Sequence, residues 1–236
     1  MKKIIHPANE RGSNSFGWLN SKHSFSFGHY HHPQKMGFGL LRVLNDDQVQ
    51  PAMGFATHGH ANMEIVSIPL SGSLKHKDST GREEIIKTGE VQIMSAGSGI
   101  QHSEFNASKE EVVEFLQIWV FPDKENLAPG YQQKSFADAL KPNELLTIVS
   151  PEGAGAAVKI NQQAWFSLAD IDPDIELNYN LHQKQNGLYV FVIEGAIKIA
   201  ETQLNRRDAL GLEDVNAVTL NATEKAKVLL IEVPMQ

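Results

Sequence analysis

The stretch GFATHGHANMEI, Gly54 to Ile65, places His58, His60 and Glu64 at even positions beside apolar residues. On a strand, residues two apart point to the same face. His58 and His60 therefore aim into one space, and Glu64 joins them if the strand continues. A second window, GSGIQHSEFN from Gly97 to Asn106, repeats the arrangement with His102, Glu104 and Asn106. Two such strands, brought together across a small barrel, surround one point with three imidazoles and a carboxylate. Spacing alone leaves Glu64 and Glu104 as equal candidates for that carboxylate. The donor set suits Fe(II), Mn(II), Ni(II), Cu(II) or Zn(II), and disfavours Ca and Mg, which prefer oxygen shells.

The rest of the chain reads as β structure. FGLLRVLN (38–45), MEIVSIPL (63–70), EVQIMSA (90–96) and VEFLQIWVF (113–121) are short β-rich runs bounded by Gly, Asp, Asn or Pro. HSFSF (23–27) alternates, and SGSLKHKDSTGREEIIKTGE (71–90) reads as two strands with a turn at Ser79, Thr80 and Gly81. Only SFADALK, Ser135 to Lys141, predicts a helix, of about two turns with Ser135 as its N-cap. Many short strands at regular spacing predict a sandwich or barrel.

The pattern also repeats. MEIVSIPLSGSLKH followed by TGEVQIMSAG in the first half is echoed by LYVFVIEGAIKI (188–199) and RRDALGLEDV (206–215). Setting Gly195 on Gly72 puts Leu181, Gln183 and Gly187 where the first half has His58, His60 and Glu64. His182 stands there without a matching partner. The expectation is two tandem β-barrels, a metal-binding domain over 1–130 and a structural domain without ligands over 131–236. The joint falls in the polar, Pro- and Gly-containing segment from Asp123 to Glu144.

Composition narrows the function. The chain has 236 residues, 41% hydrophobic and 21% charged, which suits a packed globular protein. Cysteine is absent, so disulfides and thiolate metal sites are excluded. The formal charge is −7 and the 21 Lys and Arg are scattered, which argues against direct nucleic-acid contact. MKKIIHPANERG at the N-terminus has no apolar core of a signal peptide, and no run reaches the ~20 apolar residues of a membrane span. A cytoplasmic protein is expected. GHYHH (28–32) reads as a surface loop, His23 as a hydrogen-bonded packing residue, and His76 as solvated among charges. Trp18, Trp119 and Trp165 read as core or interface residues.

Together the two windows resemble the pirin family of the cupin superfamily. The pattern G…HxH…E…G runs through Gly54, His58, His60, Glu64 and Gly72, and G…G…H…N through Gly89, Gly97, His102 and Asn106. Ser95 replaces a proline common in other cupins. ANERG, HSFSFGHY and MGFGLLRVLNDD are also similar to bacterial pirins. The resemblance covers nearly the whole chain and is strongest over 8–122. It implies an all-β fold of two tandem cupin (double-stranded β-helix, jelly-roll) barrels facing each other. It implies one divalent transition metal, iron first with Mn, Ni, Cu or Zn as alternatives, ligated by His58, His60, His102 and Glu104. Glu64 would then stand behind the ligands.

Members of the family are described as quercetin 2,3-dioxygenases, which open a flavonol ring with O₂ and release carbon monoxide. That implies a small aromatic substrate and O₂ as partners, with Glu104 as the catalytic base and Phe27, Phe38, Phe55 and Met63 as candidates for an apolar wall. The alternatives are a metal- or redox-responsive regulator that binds a protein partner, and a cupin enzyme acting on another small substrate. An enzyme calls for a cavity of about 300 Å³ or more beside the metal.

Overall fold

The computed structural model describes residues 1–153, 155 and 157–236. Its first twelve strands are β1 (Lys2–His6), β2 (Gly12–Ser15), β3 (Leu19–His23), β4 (Leu41–Val49), β5 (Gly54–His60), β6 (Glu64–Ser71), β7 (Ser73–Asp78), β8 (Glu83–Lys87), β9 (Glu90–Ser95), β10 (Ile100–Asn106), β11 (Val113–Val120) and β12 (Gly130–Ser135). The remaining ten are β13 (Leu146–Ser150), β14 (Val158–Lys159), β15 (Trp165–Ile171), β16 (Glu176–Asn180), β17 (Asn186–Glu194), β18 (Ile197–Ile199), β19 (Thr202–Leu204), β20 (Ala209–Glu213), β21 (Ala217–Ala222) and β22 (Ala226–Pro234).

They form two large and two small sheets. The first barrel joins β12-β9-β6-β11-β4-β3-β2 to β5-β10-β7-β8. The second joins β1-β20-β17-β22-β15-β13-β14 to β16-β21-β18-β19. The central strands of the two orders match in sequence, which is the tandem repeat expected. The turn glycines match as well: Gly72 has φ +72° and Gly195 has φ +74°, a conformation that favours glycine. The edge strands cross over in chain order. β1 extends the second barrel by pairing with β20, and β12 extends the first by pairing with β9.

The large sheets are buried on both faces, so their strands lack simple hydrophobic alternation. In one phase, Leu44, Val66, Ile68, Leu116 and Ile118 of the first barrel meet Phe166, Tyr189, Phe191, Leu229 and Ile231 of the second in one continuous core. In the other phase each sheet faces its own barrel interior. The second interior is apolar throughout its cluster, with Leu188, Val190, Val192, Leu210, Leu220 and Leu230. The first interior is layered. Leu19, Val49, Leu74, Ile86, Val113 and Phe115 fill one end, and Ile65, Met94, Ala96 and Ile100 lie at the other. Between them the strand register aligns His23, Asn45, Gln117, Ser67 and Gln92 in a row across β3, β4, β11, β6 and β9. Every member of that row is buried.

Several expectations change. The helix predicted over Ser135 to Lys141 does not form. Ser135 ends β12 opposite Glu90, Phe136 enters the inter-barrel core, and one turn closes when the Leu140 N–H donates to the Phe136 carbonyl at 3.0 Å. HSFSF is not a continuous strand. β3 stops at His23, and Ser24, Phe25 and Ser26 are buried in both phases as the chain bends.

Glu64 does not share the face of His58 and His60. β5 ends at His60, and Asn62 takes φ +50° before β6 begins, so the strand phase is reset. Glu64 then points between the barrels, where it accepts bonds from Ser95 Oγ (2.9 Å), the Asn161 backbone N–H (3.1 Å) and Asn161 Nδ2 (3.3 Å). The carboxylate accepts from all three groups, so an amide in its place turns one acceptor oxygen into a donor and disrupts the network. Glu64→Gln is expected to lower unfolding stability by about 1–3 kcal/mol in urea denaturation. An unchanged midpoint would contradict the inter-barrel role.

Candidate metal centre

Three strands of the first barrel build the site. β10 lies between β5 and β7, with His102 opposite His58 on one side and opposite Asp78 on the other. A bulge between His102 and Glu104 shifts the pairing with β5, so Glu104 faces Phe55 there and His76 across β7. Along β10 the alternation is strict: His102, Glu104 and Asn106 are buried, while Gln101 and Phe105 are exposed.

The structure brings His58, His60 and His102 together. Their ring centroids are 4.5–4.9 Å apart, and one ligand atom from each lies within 4.8 Å of the others. Glu104 sits deeper, in a second trio with His102 and His76 whose ligand atoms also lie within 4.8 Å of one another. The Glu104 carboxylate accepts from Gln117 Nε2 at 2.6 Å and from Ser67 Oγ at 3.2 Å.

The electrostatics favour a cation. Burial, and then the neighbouring His58, pulls His60 down to about 4. Burial, followed by His58 and His60, pulls His102 down to about 3. Both rings are therefore neutral near pH 7 and offer a lone pair. Burial pushes Glu104 up to about 7, against the Ser67 and Gln117 hydrogen bonds. His102 is 1% exposed, and neither ring nitrogen has a protein partner among the described residues. A buried imidazole without partners is costly, and coordination satisfies it. At His58, Nδ1 lies 2.8 Å from the Ala56 carbonyl, which leaves Nε2 free for a metal. The residues present thus fit a divalent transition metal.

Two residues stand where the sequence did not place them. Trp119 is part of the site: its ring meets His60 edge-on at 4.8 Å, and Phe27 meets Trp119 at 5.3 Å. His76 is not solvated but fully buried, with Nε2 3.1 Å from Asp78 Oδ2. Its signal was present in the alternation of Leu74, His76 and Asp78 with Lys75 and Lys77. Gln117 was likewise visible as one polar residue inside an apolar run.

Of the proposed apolar wall, Phe27 reaches the site through Trp119, and Met63 joins the same cluster. Phe38 instead lies between the barrels, 5.5 Å from the Tyr189 ring, and Phe55 packs on Trp18 at the far end. His23 is a packing residue, bonded to Ser21 Oγ at 2.7 Å. Within GHYHH, His29 and His31 are exposed. In the second barrel His182 stacks on Trp165 at 4.6 Å and bonds Glu232 at 3.0 Å. An open cleft of about 620 Å³ adjoins the histidines, lined by Gly59, His60, Ala61, Ser79, Gly99, Ile100 and Gln101.

The polar layer extends to Asp47, which Ser21 Oγ caps. Burial pushes its carboxyl up to about 7, opposed by the Ser21 bond and reinforced by Asp46 and Glu104. The neutral acid is the form the fold prefers. Its contribution is full below the unfolded pKa of about 4 and is lost as pH rises to about 7. Asp47→Asn keeps an acceptor for Ser21 and cannot ionise. Its melting temperature relative to wild type is expected to rise by several degrees between about pH 5 and about pH 8. A constant difference would show that Asp47 does not ionise against burial.

Comparison with known proteins gives a consistent picture. The Pirin family model matches residues 5–120, and the model described as quercetinase C-terminal cupin domain matches 147–233. The chain is 37% identical to quercetin 2,3-dioxygenase of Escherichia coli K12, over 98% of both chains. It is 34% identical to the pirin-like protein of Caulobacter vibrioides, over 96% of this chain and 97% of that one. Among solved structures, the nickel(II) complex of the bacterial pirin YhhW from Escherichia coli superposes with a TM-score of 0.93. Its identity is 34%, over 99% of each chain.

Proposed function

The chain belongs to the pirin family, and from that premise we propose that it is a metal-dependent dioxygenase opening the ring of a flavonol-like substrate with O₂. The observation that carries this reading is the meeting of His58, His60 and the buried, unpartnered His102 beside the Glu104 carboxylate, with His60 lining an open cleft. The relatives named quercetin 2,3-dioxygenase support the choice of substrate class.

In this reading His58, His60, His102 and Glu104 hold the metal, with iron the first choice. When bound, a divalent metal supplies a Lewis acid that acidifies a substrate hydroxyl, and a place for O₂ to react. The protein does the rest. The Ala56 carbonyl orients His58, and the edge of Trp119 holds the plane of His60. Glu104 Oε, on loosening from the metal, accepts the substrate's hydroxyl proton as general base. Gln117 and Ser67 hold that carboxylate in place. Trp119 and Phe27 screen one side from water, and the cleft between Gly59–Ala61 and Gly99–Gln101 admits a flat ring.

The test is anaerobic reconstitution with Fe, Mn, Ni, Cu or Zn, followed by quercetin and O₂. Metal-dependent carbon monoxide release is expected, reduced about 10²-fold or more in His58→Ala and Glu104→Ala. Absence of turnover with every metal would overturn the enzyme reading in favour of a regulatory role.

A further inference from the structure

His76 is the buried nucleophilic group that the function above leaves unused. It is fully buried on β7, and its Nε2 lies 3.1 Å from Asp78 Oδ2. Asp78 is itself fixed, accepting from the Thr80 N–H at 2.9 Å and Thr80 Oγ1 at 2.6 Å. A carboxylate that holds one ring nitrogen of a histidine as donor leaves the other as a lone pair. That arrangement is how proteins orient a metal-ligating histidine. Nδ1 of His76 has no hydrogen-bond partner among the described residues.

Its surroundings say what the lone pair serves. Ligand atoms of His76, His102 and Glu104 lie within 4.8 Å of one another, yet no hydrogen bond joins His76 to either. Atoms bound to one ion at ~2.1 Å stand about 3 to 4.3 Å apart, close to this spacing. His23 provides the contrast: it too is buried with a free Nδ1, but it belongs to no such group. The two trios also differ in chemistry. His58, His60 and His102 offer three nitrogens, with His60 at the cleft. His76, His102 and Glu104 offer two nitrogens and a carboxylate oxygen, the two-histidine, one-carboxylate composition of non-haem Fe(II) sites.

We propose that the first barrel has an inner metal seat formed by His76, His102 and Glu104, which competes with the outer site because both need His102 and Glu104. The seat takes a divalent first-row transition metal. It lies below the cleft, whose lining includes His60 but none of the inner three, so a metal there is withdrawn from substrate. The inference rests on the metal-binding reading above, and the two fail separately.

The experiment is a Co²⁺ titration of the metal-free protein, followed by calorimetry and visible absorption. Wild type is expected to bind Co²⁺ with one ion per chain. The double variant His58→Ala/His60→Ala is expected to retain that one ion, and adding His76→Gln to weaken it by at least about tenfold. A double variant that binds no Co²⁺, or a His76→Gln change without effect in that background, would overturn the inner seat and leave the outer site standing. No binding by wild type would overturn both. Should the double variant fail to fold, His76→Gln alone decides: a Co²⁺ absorption spectrum and affinity identical to wild type would contradict the proposal.

Discussion

The first barrel must bury a layer of polar side chains inside a sheet whose opposite face is committed to an apolar interface. Everything else follows from how the strands meet that constraint. Leu44, Val66, Leu116 and Ile118 turn outward to the second barrel, while Asn45, Ser67 and Gln117 turn inward beside them. A single slip in register would exchange the two sets, placing amides in the inter-barrel core and leucines around the histidines. The register is therefore held by both partners, the apolar interface and the polar interior. Each buried polar group left unsatisfied costs about 1–3 kcal/mol. A bound metal offsets part of that cost, since a ligand present at a thousandfold above its Kd stabilises the folded state by about 4 kcal/mol.

The second barrel shows the same architecture with the constraint removed. Its interior is filled by Leu188, Val190, Leu210 and Leu230. The buried acid near the equivalent window, Glu232, is satisfied by protein donors: Tyr179 Oη, the N–H groups of His182 and Gln183, and Asn186 Nδ2. His182 thus serves packing and hydrogen bonding. The barrels are joined by charge as well as by apolar contact, with Arg11 and Arg207 both meeting Asp46. His6 of β1 adds a 2.7 Å bond to Tyr189 Oη.

Much of this was legible in the chain. The β-rich runs became strands within a few residues of the expected bounds, and the paired glycines located the repeat. The HxH and HxE spacings brought His58, His60 and His102 together with Glu104 just beneath, because period-two alternation survives inside a regular strand. What escaped the sequence lay where that regularity breaks or where two faces compete. One residue in the left-handed region, Asn62, reversed the expected direction of Glu64. Lys75 and Lys77 made His76 look solvated, although alternation put it on the opposite face. Phe38, Trp119 and β1 depend on contacts between distant parts of the chain, which local pattern does not encode.

In the proposed reading a metal sits in the polar interior of the first barrel and none in the apolar interior of the second. Anomalous X-ray diffraction at the absorption edge of the metal, from crystals of the reconstituted protein, tests it directly. One strong peak per chain is expected, at about 2.0–2.3 Å from a ring nitrogen of His102 and within the first barrel. A peak confined to the exposed histidines His29 and His31, a peak in the second barrel, or no peak would contradict it.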